Sequence, residues 1–152
     1  MSDTTTAPAA ADAATQAALE RLNTVIDRLI APDGCPWDST QTPESLTEYV
    51  IEECHELVDA IRSGKTADMV EELGDVAFLI LMIGKLMARA GGPSLADALE
   101  VEAAKMVRRH PHVFSDTTYE NQSEQLKDWD RIKREEKAAA DAEGPKGTYD
   151  SL

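Results

Sequence analysis

Glu71-Glu72-Leu73-Gly74-Asp75-Val76-Ala77-Phe78-Leu79-Ile80-Leu81-Met82-Ile83 is the stretch whose reading decides the fold. Its second half is apolar on every side of a helix, and a helix that is apolar all round is buried all round. Its first half sets Glu72 and Asp75 three residues apart, one helical turn above the other, on the side that Leu79, Ile83 and Leu86 continue. The segment therefore predicts a core helix that carries two carboxylates inward.

Upstream lies a second segment of the same kind, Glu52-Glu53-Cys54-His55-Glu56. Leu46, Val50, Cys54, Leu57, Val58 and Ile61 form its apolar stripe, and a helical wheel puts Glu53 inside that stripe and Glu56 at its edge. Thr42 reads as an N-cap with Pro43 at the first helical position, and Ser63-Gly64 ends this second helix. The third helix runs from Thr66 to Ala90, where Gly91-Gly92-Pro93 stops it.

Before them, Leu19, Leu22, Val25, Ile26, Leu29 and Ile30 recur at helical spacing, and Pro32 to Asp38 break that first helix into a loop. After them, Ser94 with Asp97 opens a fourth helix, and His110-Pro111 closes it. A polar loop through Tyr119 leads to a charged fifth helix over Ser123 to Ala140. The expectation is an all-α bundle of about five helices over 16–141, its core formed by the second and third. Residues 1–15 are expected to be a disordered tail and 142–152 a flexible one, for want of apolar residues to pack.

Composition agrees with helices. The 152 residues suffice for one domain with one core, and they are 42% hydrophobic but only 5% aromatic. A net charge of −14 opposes indiscriminate binding to nucleic acid or an anionic membrane, so neither is expected as a partner. No apolar run approaches the roughly 20 residues of a membrane span, and no signal peptide opens the chain. Cys35 and Cys54 make no metal-finger spacing and no disulfide framework, which fits reduced thiols in the cytoplasm.

Glu53, Glu56, Glu72 and Asp75 thus form two carboxylate pairs on apolar sides of neighbouring helices. Bringing them together costs desolvation and mutual repulsion, which a hard divalent cation offsets; all-oxygen ligands suit Mg²⁺ or Mn²⁺. The competing reading is an ordinary solvated face, since glutamate is common in helices. Glu52 and Glu71 lie further from the stripes and read as surface charge, with a base or outer-sphere role as the alternative.

Lys105-Met106-Val107-Arg108-Arg109-His110 is a concentrated positive patch in an acidic chain. Its cations either complement the end of the fourth helix dipole or hold an anion. Trp129 and Lys133 share a face of the fifth helix, suited to a stacked base with a phosphate nearby or to simple anchoring. Trp37, in Cys35-Pro36-Trp37-Asp38, has the same two readings. His110 and His112 are expected to pack a loop rather than bind metal.

Together these segments resemble the MazG-type nucleoside triphosphate pyrophosphohydrolases. The resemblance covers about Leu19 to Lys137, through Gly34-Cys35-Pro36-Trp37-Asp38, Gln41-Thr42, both acidic motifs, Lys105 to Phe114 and Trp129 to Lys133. It implies an all-α homo-oligomer, dimer or tetramer, that cleaves a nucleoside triphosphate between the α and β phosphates. It also implies that Glu52, Glu53, Glu56, Glu72 and Asp75 are the acidic motif and that Lys105, Arg109, Trp129 and Lys133 hold the nucleotide. Many relatives carry two such domains, and this chain carries one.

The mechanism expected from these residues is attack by a metal-activated water, with Glu52 or Glu53 as base and Lys105, Arg108 and Arg109 neutralising the departing pyrophosphate. Two alternatives stand beside it. One is a helical assembly module without catalysis; the other is a related all-α enzyme acting on dUTP, dCTP or phosphoribosyl-ATP.

Overall fold

A computed structural model describes residues 6–143 of the chain. The described residues form six α-helices and two single 3-10 turns, with no strand. The helices are α1 (Thr6–Leu29), α2 (Thr47–Ser63), α3 (Thr66–Arg89), α4 (Leu95–Arg109), α5 (Pro111–Phe114) and α6 (Gln122–Glu143), and the 3-10 turns are Asp38–Thr40 and Glu44–Leu46. The all-α expectation holds. The extra helix is α5, inside the expected polar loop: Pro111 both ends α4 and, at the first position of the next turn, starts another helix.

The chain forms two compact units, one ending at Leu95 and the other beginning at Ala96. Helix α1 begins at Thr6, so residues 6–15, expected as a disordered tail, are helical, as their alanine content favours. The expected C-terminal tail lies, from 144 onward, outside the described residues.

In the first unit α2 and α3 pack along one another and α1 packs on α3. The hairpin turns at Gly64, whose φ of 71° is a left-handed conformation that glycine adopts at no steric cost. Helix α2 starts at Thr47 rather than at Pro43, and Thr42 and Ser45 instead bond reciprocally around the 3-10 turn that leads into it. Thr42 Oγ1 accepts from Ser45 N–H at 3.2 Å, and Thr42 N–H donates to Ser45 Oγ at 3.0 Å. The core consists of Ile26, Ile30, Leu46, Leu79, Leu81, Met82 and Leu86, with Leu22, Val50, Phe78, Ile83 and Leu95 packed against it.

Helix α3 is not buried all round, as its composition led us to expect. Ile80 is 47% exposed, and on α2 the expected stripe residues Cys54, Val58 and Ile61 also face outward. Among the described α-helices of the first unit, only α1 packs on the hairpin, against α3. Each of its helices keeps a second apolar face in water: Ile51, Cys54, Val58 and Ile61 on α2, and Val70, Leu73 and Ile80 on α3. Leu19 and Val25 of α1, expected in the core stripe, are likewise exposed.

The second unit holds α5, α6 and all of α4 after its first residue. Ile132 is its one buried hydrophobic residue among those described. Polar pairs organise the rest: Tyr119 donates to Asp128 at 2.6 Å, Arg131 pairs with Asp128 and Glu135, and Arg108 and Arg109 pair with Glu136.

A candidate acidic metal centre

Helices α2 and α3 bring Glu53, Glu56 and Glu72 together, with one carboxylate oxygen of each within 4.8 Å of the others. Glu53 and Glu72 are half-buried and Glu56 is exposed. Among the described residues no ion pair or hydrogen-bond donor is given to any of the three. Partial burial, followed by repulsion from Asp75, Glu56 and Glu52, pushes the Glu53 carboxyl above its ordinary value of 4.5. Burial again comes first for Glu72, then repulsion from Glu56, Glu71, Glu53 and Asp75, and its carboxyl also lies above 4.5. Glu53 and Glu72 are thus each disfavoured as ions, first by burial and then by the neighbouring carboxylates.

Asp75 stands apart from this triplet. It is exposed rather than turned inward as expected, yet it is the first of the carboxylates that repel Glu53. It lines a cavity of about 210 Å³ with Glu53, Trp37, Tyr49, Phe78 and Leu79. Trp37 and Tyr49 meet there edge to face, with ring centroids 5.7 Å apart. Sequence reasoning singled out Trp37 but missed Tyr49 and Phe78. The available signal was Tyr49 standing one helical turn before Glu53. Glu52 and Glu71 are exposed, in keeping with their reading as surface charge.

Three oxygen donors at this separation form a group that could hold a metal ion. Asp75 is near enough to Glu53 to share the same field.

The expected nucleotide-holding cations all lie in the second unit, and each has an acid beside it. Lys105 pairs with Glu102, and Lys133 with Asp130 at 2.8 Å. Arg108 and Arg109 share Glu136 at 2.6 and 2.7 Å. Trp129 is half-buried, edge-on to His110 at 4.8 Å, with the Arg109 guanidinium 5.8 Å from its ring centre. His110 Nδ1 lies 2.6 Å from the Met106 carbonyl oxygen, and the His112 ring packs on Tyr119 at 5.4 Å, so both histidines serve the packing of this segment.

Residues 41–114 match the MazG nucleotide pyrophosphohydrolase domain. Over 121 residues the chain is 40% identical to the nucleoside triphosphate pyrophosphohydrolase of Escherichia coli (strain K12), covering 79% of this chain and 46% of that protein. It is 42% identical over 118 residues to the uncharacterized protein YabN of Bacillus subtilis (strain 168), covering 78% of this chain and 24% of that one. The chain thus spans less than half the length of these relatives. Among solved structures, the mazG-related protein from Thermotoga maritima superposes with a TM-score of 0.65 at 29% identity, over 76% of this chain and 98% of that one.

Proposed function

The chain belongs to the MazG family of nucleotide pyrophosphohydrolase domains, and from that premise we propose that it hydrolyses nucleoside triphosphates between the α and β phosphates, giving monophosphate and pyrophosphate. The observation that carries the reading is the triplet of Glu53, Glu56 and Glu72, with one carboxylate oxygen of each within 4.8 Å of the others and the Glu53 and Glu72 carboxyls held above their ordinary value by burial and neighbouring charge.

Glu53, Glu56 and Glu72 would hold Mg²⁺, with Asp75, whose charge acts on Glu53, as the fourth candidate ligand. When bound, that ion supplies charge neutralisation at the phosphate oxygens and makes water a stronger acid. Glu52, or Glu53 beside it, would take the proton of the attacking water. The oxygen between the α and β phosphates leaves with pyrophosphate, and water's oxygen stays on the cleaved phosphorus. Trp37 and Tyr49 line the cavity beside these acids, edge to face. Lys105, Arg108, Arg109, Trp129 and Lys133 are our candidates for holding the phosphates and the base.

We read the outward apolar faces of α2 and α3 as a homo-oligomeric interface, and the free thiols Cys35 and Cys54 as suited to the cytoplasm. No described helix is long and apolar enough to cross a membrane.

The test is a panel of ribo- and deoxyribonucleoside triphosphates with Mg²⁺, monitored for monophosphate and pyrophosphate. Both products should appear and be lost with a chelator or in Glu53→Gln. Their absence with every nucleotide in the panel would overturn the proposal.

A further inference from the structure

Arg108 and Arg109 are neighbours at the end of α4, so their side chains leave the helix about 100° apart. Both nevertheless end on one carboxylate, that of Glu136 on α6. Glu136 Oε1 accepts from Arg108 Nε at 2.6 Å, while Oε2 accepts from Arg109 Nε at 3.0 Å and Nη2 at 2.7 Å. The Glu136 and Arg109 side chains are only 18% and 20% exposed, against 54% for Arg108. Trp129 flanks the Arg109 guanidinium. The cluster carries two positive charges and one negative, and Glu136 meets each arginine on its Nε side.

We propose that Glu136 is a positioning residue that holds the Arg108 and Arg109 guanidinium groups together as a preorganised grip for the phosphate oxygens of the nucleotide. This rests on the nucleotide-hydrolysing reading above. The alternative is that Glu136 competes with the substrate for the arginines and must be displaced. Burial decides between them: a carboxylate meant to leave would sit in solvent, whereas this one is mostly enclosed and bound to Arg109 through two N–H groups. An arginine already fixed loses less side-chain freedom when it binds an anion, so Glu136 strengthens binding although it lowers the local charge by one. The two arginines in turn hold the Glu136 carboxyl below its ordinary range, so it stays ionised at neutral pH.

The experiment measures pyrophosphate binding to the full chain by calorimetry, in chelator, so that the arginine cluster rather than a metal is read. Wild type, Glu136→Gln, Glu136→Ala and Arg109→Gln are compared, with Glu136→Ala also placed in the Arg109→Gln background. We expect Glu136→Ala to weaken pyrophosphate binding about tenfold, with Glu136→Gln between it and wild type. The KM for nucleoside triphosphate should rise by a similar factor while kcat changes less than about twofold, as for lost uniform binding. In the Arg109→Gln background Glu136→Ala should add little, because its partner is gone. Tighter pyrophosphate binding on removing the carboxylate would establish competition and overturn the proposal. So would unchanged binding with a lowered melting temperature, or no binding by wild type. If Glu136→Ala fails to fold, Glu136→Gln, which keeps the side chain's size, carries the comparison. Glu136-dependent pyrophosphate binding without hydrolysis of any nucleotide would leave the grip standing and remove the hydrolytic reading.

Discussion

At the scale of residues, Glu53 and Glu72 oppose the fold that holds them. Their carboxyls sit above the ordinary 4.5, so the folded chain binds their protons more tightly than the unfolded chain does. Stability of the metal-free protein should therefore fall as pH rises through 4.5, and the loss is complete above the raised values. Glu136 has the opposite sign: its carboxyl is lowered, so its contribution is present above 4.5 and disappears as pH falls through its folded value. Glu53→Gln or Glu72→Gln should raise the metal-free melting temperature at pH 7 and abolish the rise that Mg²⁺ gives wild type, as scanning calorimetry would register. A fall in metal-free stability would contradict the repulsion on which the metal site rests. The acidic triplet was legible in the sequence because i,i+3 spacing and the apolar stripes are local patterns. Glu136 was not legible: it meets arginines 27 and 28 residues away, and no periodicity connects them.

At the scale of elements, two glycines fix how the helices of the first unit join. A side chain at Gly34 would collide with the carbonyl oxygens of Arg28 and Leu29, which the turn after α1 folds back upon. A Cβ on Gly84 of α3 would stand 2.7 Å from that of Leu95, where α4 begins. Gly84→Ala should cost about 1–3 kcal/mol by overpacking, measured by urea unfolding. Gly34→Ala should cost at least as much, since backbone rather than a side chain must move. A neutral effect at both positions would mean that these junctions are looser than described. Helix ends were largely readable, because Gly64 and His110-Pro111 act through the backbone of their own neighbourhood. Helix α5 was overlooked because Pro111 was read only as a terminator.

At the scale of the whole molecule, α2 and α3 keep outward apolar faces that we propose as an interface between copies. Ile61 and Leu73 are 57% and 59% exposed, with Ile51, Val58, Val70 and Ile80 on the same faces. Burying such faces between copies is worth roughly 25 cal/mol per Å² of apolar surface removed from water. Ile61→Glu with Leu73→Glu should convert an oligomer into monomers by sedimentation velocity while retaining helical circular dichroism. Monomeric wild type would remove the interface reading. The apolar pattern of α3 predicts burial all round, and Val70, Leu73 and Ile80 face outward instead, because a sequence does not say which sides of a helix its own chain covers.

The division of the chain into two units also distributes its two tryptophans, Trp37 beside the acidic cavity and Trp129 against His110 and Arg109. Each unit thus contains its own fluorophore in a different electrostatic setting. With either indole replaced by phenylalanine, the remaining emission becomes an optical channel for that unit alone, so events among the carboxylates and among the arginines can be timed separately in the same protein.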